Sequence, residues 1–393
     1  MRVTLTDDQR ALAASLRGAL EKEWGPAQVR EAQAADAPHP ARLWKVLGDI
    51  GVFGLALEED LGGVGGELFE LGLFYEAAGR VLCSTLVYST LGFRLALQRL
   101  GSPQQQRRWL PRLAAGELTA TLALWNPSDN SDLAPALTAR RQDAGWLLSG
   151  TVDFVPNADT AHVMIVSALT DADDGRRIIC CVLDPSRPGC RTTRHHTLSR
   201  ENQGQVILDG LAIDAADTID LDSGGKTTGD LRWVSNAVTA LQCMEMTGGG
   251  LSVLDRTVGY VKNRHQFNRP IASFQAAQHH VANMHIALDA GRLTAYQAVW
   301  LLGRGHTASR EVAIAKLKCN EAYKFATLTA HQLHGGMGFL RETDLHLWSQ
   351  RAKSTELLGG AWDVQLAALE RALMLPPATD FTFRPGTGPG QRP

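Results

Sequence analysis

The sequence predicts an α+β protein with an N-terminal helical domain, a middle antiparallel β domain and a C-terminal four-helix bundle. Three observations carry this. A chain of 393 residues holds two to three domains at about 150 residues each. Near Ala120 the composition turns from Ala, Leu, Arg, Glu and Gln to short β-rich runs, and after Gly229 long helical patterns resume. The expected divisions are 1–118, 119–224 and 225–375, followed by a Pro/Gly-rich tail over 376–393 expected to be unstructured.

Each part has local signals. In the first, Thr6-Asp7-Asp8 reads as a helix start, and Leu12, Leu16 and Leu20 follow at helical spacing. In the second, the runs Trp146 to Phe154, Val163 to Ala168, Ile178 to Leu183 and Gln205 to Ile213 are separated by Asn, Asp, Gly and Pro clusters, the pattern of short strands and turns. The loop from Asp222 to Gly229 closes this region, and Leu288, Ala295, Val299 and Leu302 then mark one face of a long helix. The Gly62-Gly63-Val64-Gly65-Gly66 run lacks a preceding strand and reads as a surface loop.

Composition narrows the function. A formal net charge of −2 provides no field for nucleic acid or anionic lipid, so neither is expected as a partner. No apolar stretch reaches the ~18 residues of a membrane helix, and the first segment lacks the apolar core of a signal peptide. Cys83, Cys180, Cys181, Cys190, Cys243 and Cys319 form no C-x-x-C pair and read as reduced thiols of a cytoplasmic protein. The G-x-G-x-x-G, P-loop, G-x-S-x-G and H-E-x-x-H motifs are all missing. The His195-His196 and His279-His280 pairs and His331 with His334 complete no metal shell, so no metal is expected.

Four stretches in order carry a family likeness: Leu43 to Gly63, ending LALEEDLGG; GSPQQQRRWLPRLAAGE from Gly101; RHQFNRPIASFQAAQHHVANM from Arg264; and QLHGGMGFLRETDLHLWSQRAK from Gln332. The chain resembles the FAD-dependent acyl-CoA dehydrogenase family, especially a bacterial H-G-G-x-G-F branch. The resemblance implies α,β-desaturation of an acyl-CoA, with FAD as cofactor and a soluble electron-transfer flavoprotein as acceptor. It also implies that Arg264, Phe267, Gln275, Gln332, Gly335 and Gly336 lie against the FAD of a neighbouring subunit. The residue types agree. A guanidinium forks onto pyrophosphate, and glycines let backbone approach a phosphate or ribose.

The chemistry needs a carboxylate to take the α-proton. At the two positions where the family carries that Glu, this chain has Gly359 and Val238. Glu245 and Glu356 are the nearest alternatives, each read first as structural or exposed. Glu245 stands about two turns beyond Val238, roughly 10 Å along a helix. The family's T-E-P-x-A-G-S-D appears as Trp125 to Asp132, putting Ser131 among the expected cofactor contacts. W-I-T-N appears as Phe154-Val155-Pro156-Asn157, with Phe154 at the ring. Pro156 has neither the N–H nor the hydroxyl of the Thr it replaces. Contacts toward a neighbour's FAD are kept while those of the chain's own ring site are lost. The expected role is the supporting subunit of a hetero-oligomer with a homologous, Glu-bearing chain. The alternatives are a flavin enzyme of altered chemistry (oxidase, monooxygenase or dehydratase), or a flavin-free subunit, in a homo-oligomer.

Overall fold

The computed structural model describes residues 4–34, 40–127, 129–130, 132–171, 176–221 and 225–374. Ser131 and the 376–393 tail lie outside them. Six helices come first: α1 (Asp7–Glu23), α2 (Pro26–Ala34), α3 (Ala41–Asp49), α4 (Leu68–Arg80), α5 (Thr85–Leu100) and α6 (Pro103–Ala114). Thr6 caps α1 in a reciprocal box with Gln9, satisfying two backbone donors that the first turn leaves open. The 62–66 run is a loop, and Gly63 is tied to it by crowding: a Cβ there would lie 2.0 Å from the Leu57 carbonyl oxygen.

The middle region is one sheet of β1 (Ala120–Ala123), β2 (Leu137–Gln142), β3 (Gly145–Pro156), β4 (Val163–Thr170), β5 (Ile178–Leu183), β6 (Cys190–Arg194), β7 (Gln203–Ile213) and β8 (Thr218–Asp220). Strand order is β6-β7-β3-β2-β4-β5-β8, with β1 also on β4. The expected antiparallel sheet is corrected to a mixed one, because β4 runs parallel to both β1 and β2. Parallel neighbours need a crossover, and the β2–β3 hairpin supplies it between β1 and β4. Alternation along a strand carries no information on that direction. The β3–β7 ladder slips between Val152 and Val155, and Phe154 sits in the bulge at φ +54.

The C-terminal region comprises α7 (Thr228–Asn263), α8 (Gln275–Gly303), α9 (Ser309–His334), α10 (Leu345–Leu357) and α11 (Trp362–Met374). Four of them pack together as α7 to α10, and α11 adds a fifth against α9, extending the four-helix expectation. Leu288, Ala295, Val299 and Leu302 are all buried. They share a core with Leu20 of α1 and Phe74 of α4. Helices α4 and α7 touch backbone to backbone: a Cβ on Gly79 would fall 2.0 Å from the Glu245 carbonyl, and one on Gly248 1.9 Å from that of Glu76. This approach sets Tyr75 and Glu245 on one wall of a cavity.

Candidate active site and cofactor-binding end

That cavity, about 130 Å³, lies between β1, β3, α5, α7 and the end of α10. Its apolar surface comes from Leu122, Trp125, Pro127, Pro156, Val238 and Leu358, and its polar end from Tyr88, Glu201, Glu245 and Arg351. Val238 and Gly359, the two positions at which the resemblance implies a Glu, are both on this wall.

At the polar end Arg351 joins three elements that are far apart in sequence. Its Nη1 donates to Glu245 Oε1 at 2.5 Å, its Nε pairs with Glu201 just before β7, and its Nη2 donates to the Cys83 carbonyl at 3.1 Å. All three charged side chains are under 10% exposed. Burial pushes the Glu245 carboxyl up, while Arg351 pulls it back. Burial disfavours the Arg351 charge too, but the two carboxylates overcome this and raise its pKa. Glu201 accepts a further bond from Ser354 at 2.6 Å. Sequence reading passed over Arg351 as part of a matched segment; nothing local announces its partners.

Neither alternative carboxylate is poised as a base. Glu245 faces the cavity but is spent on Arg351. Glu356 lines no wall of it and is held by Lys324 at 2.9 Å and Lys353 at 3.0 Å. Burial opposes the Glu356 charge, yet those ammonium groups keep its carboxyl below the ordinary range. The Gly359 turn is stitched down: its N–H donates to the Pro127 carbonyl at 2.7 Å and its own carbonyl accepts from Gln365 at 2.6 Å. Asn130 ties the same loop to Thr239 at 2.6 Å and to Gln365 at 2.8 Å.

Behind Gly359 lies Lys316, fully buried, whose Nζ donates to Gln242 Oε1 at 3.0 Å and to the Thr355 carbonyl. Burial pulls its ammonium down from 10.5 to about 8. Between those values the unfolded chain binds more protons than the folded one, so this group's contribution to stability rises as pH climbs through the window. Lys316→Met lacks that rise. In urea unfolding the stability difference between variant and wild type is expected to move toward the wild type by about 3 kcal/mol from pH 7 to 10.5. A difference independent of pH would contradict the assignment.

The space between these walls is by itself small for an isoalloxazine ring. A cavity of roughly 150 Å³ holds one benzene, the space here is about 130 Å³, and the flavin ring system is three fused rings. Trp125, in place of the family's Thr, is buried in a core cluster with Leu124 and Leu133. The Pro156 carbonyl is already taken by the Thr121 hydroxyl. Phe154 is not in the cavity. It is 49% exposed and lies 5.0 Å from the His195 ring.

The other expected cofactor residues gather elsewhere. Arg264 caps the end of α7, Gln332 lies in the last turn of α9, and the two helix ends are joined where Tyr260 stacks on His334 at 4.2 Å and donates to its carbonyl at 3.3 Å. A two-strand hairpin, β9 (His265–Gln266) and β10 (Arg269–Pro270), leads from α7 to Gln275 at the start of α8. At its tip Phe267 is 86% exposed at φ +54. A Cβ on Gly335 or Gly336 would meet nothing within 4 Å, so no neighbour inside this chain requires Gly336 to be small. Arg264, Gln275 and Gln332 are exposed as well, and none of the six lines the inner cavity. Among the described residues there is no cluster of three or more metal-ligating side chains and no helix long and apolar enough to cross a membrane.

Known proteins match this arrangement. Residues 6–117 match the model of the acyl-CoA dehydrogenase N-terminal domain and 238–374 that of the C-terminal domain. The probable acyl-CoA dehydrogenase YngJ of Bacillus subtilis is 28% identical, the match covering 95% of this chain and 100% of that one. The acyl-CoA dehydrogenase fadE12 of Mycobacterium tuberculosis is 30% identical over 77% of this chain and 80% of its own length. Among solved structures, a chain of the ChsE4-ChsE5 complex from Mycobacterium tuberculosis superposes with a TM-score of 0.86 at 28% identity, covering 96% of this chain and 100% of that one.

Proposed function

Because the chain belongs to the acyl-CoA dehydrogenase family, we propose that it is the subunit without a base in a hetero-oligomer that desaturates an acyl-CoA thioester with FAD. One observation carries this reading: the chain's own cavity is small, about 130 Å³, and has Gly359 where the resemblance implies a carboxylate, while its bundle end presents an exposed, glycine-lined surface with a guanidinium beside it. FAD, when bound, accepts the hydride; the ring and the base belong to the homologous partner. Arg264 supplies fixed positive charge to the pyrophosphate, Gln275 and Gln332 supply neutral hydrogen bonds, Gly335 and Gly336 admit close backbone approach, and Phe267 covers an apolar face. A relative solved as a complex of two differently named chains supports the heteromeric part. The acceptor in this reading is an electron-transfer flavoprotein.

Flavin absorbance per mole of chain tests it. The complex is expected to hold one FAD per pair of unlike subunits, and the isolated chain close to none after desalting. Arg264→Ala in this chain should lower FAD retention by the complex roughly tenfold or more, since a charge-assisted hydrogen bond contributes about 1.5–3 kcal/mol. One FAD per chain in the isolated protein would overturn the reading and favour altered flavin chemistry on the same fold.

A further inference from the structure

A second, larger cavity of about 510 Å³ lies against the inner one, and Thr85, Glu201, Asn202 and Arg351 are wall to both. Its volume is in the range of small-molecule sites, roughly 300–1,000 Å³. One side is apolar, made by Trp24 at the end of α1, Val29 and Ala32 of α2, Pro40 and Leu82. The indole N–H of Trp24 is already donated to the Leu82 carbonyl at 3.1 Å, so this side has no polar demand from the ring.

The facing side is the segment between β6 and β7, which brings Arg194, His195, His196 and Arg200 to the cavity. Arg194 is paired with Asp159 at 2.9 Å and His195 with Asp153 at 2.6 Å. Arg200 and His196 are exposed members of this lining, and neither is joined by an ion pair to a described residue. The sole carboxylate of the lining, Glu201, is taken up on one oxygen by Arg351 and on the other by Ser354. The uncommitted charge facing the cavity is therefore cationic, opposite an aliphatic wall.

We propose that this cavity binds an amphipathic anion, an aliphatic chain ending in one carboxylate, with the chain on Trp24, Val29 and Ala32 and the head on Arg200 and His196. An anionic head exchanges water on the exposed guanidinium for a charge-assisted hydrogen bond, and an aliphatic body covers the α2 wall. A neutral or cationic head gains no such bond. All the residues this proposal uses come from this chain.

The test is calorimetric titration of the purified full-length chain with sodium octanoate, 1-octanol and octylammonium chloride at pH 7. Octanoate is expected to bind at least about tenfold more tightly than either comparator, with an affinity that falls as salt is raised. Arg200→Glu should weaken octanoate about tenfold or more without weakening octanol, and Ala32→Trp, which fills the apolar side, should weaken both. Arg140→Glu, an exposed charge on β2, should change neither. Matching melting curves for the variants keep a folding defect from passing as a result. Absence of octanoate binding, equal affinity for octanol, or an Arg200→Glu variant that binds octanoate like the wild type would each overturn the proposal.

Discussion

Replacing Arg351 by Met is expected to cost about 3–5 kcal/mol of folding stability, because it leaves two buried carboxylates, Glu201 and Glu245, facing each other without a cation. The loss should depend on pH with a defined sign. Burial raises the folded pKa of an unpaired carboxyl above its unfolded value. The penalty is then absent below the unfolded pKa and grows as pH rises through the folded one. Urea unfolding should show a larger deficit at pH 8 than at pH 5. Changing Glu201 and Glu245 to Gln in the same background should recover most of it, a non-additivity that marks a shared network. A deficit under about 1 kcal/mol, or one equal at both pH values, would mean that water reaches the cluster and screens it.

The second large effect is catalytic. With acyl-CoA, added FAD and a dye acceptor, the isolated chain is expected to turn over at least roughly 10²–10⁴-fold more slowly than the complex, the range for loss of a positioned acid or base. The reason is geometric as well as compositional. Gly359 offers no carboxylate, Glu245 is committed to Arg351, and Glu356 is held by two lysines away from the cavity. Turnover by the isolated chain within tenfold of the complex would require a base that this arrangement does not provide.

Local features were legible in the sequence. Thr6 and Gln9 wrote their helix start into three consecutive turns of pattern, and Ile178 to Leu183 is the strand that its apolar run described. Gly359 and Val238 were singled out from motif spacing alone, and the structure brings both to one cavity wall. Strand direction was not, since alternation is the same for parallel and antiparallel neighbours. The Arg351 bridge was not legible either. Arg351 and Glu245 are separated by 106 residues, and neither segment differs in composition from an ordinary helix. Glu245 was read first as structural, on the face of Val238 but about two turns along; what it pairs with depended on a helix folded against it from elsewhere. The separation of Phe154 from the cavity follows from a bulge that its strand pattern does not encode.

The turn at Gly359 also sets what a side chain placed there would cost. Its φ of +75 is one that side chains other than glycine enter at a cost of about 1–2 kcal/mol. A Cβ there would come within 2.9 Å of Gln242 Oε1, itself bonded to Lys316. Glu at this one position is thus expected to lower folding stability, by the strain of the turn and by crowding against Gln242, whatever chemistry its carboxylate could add.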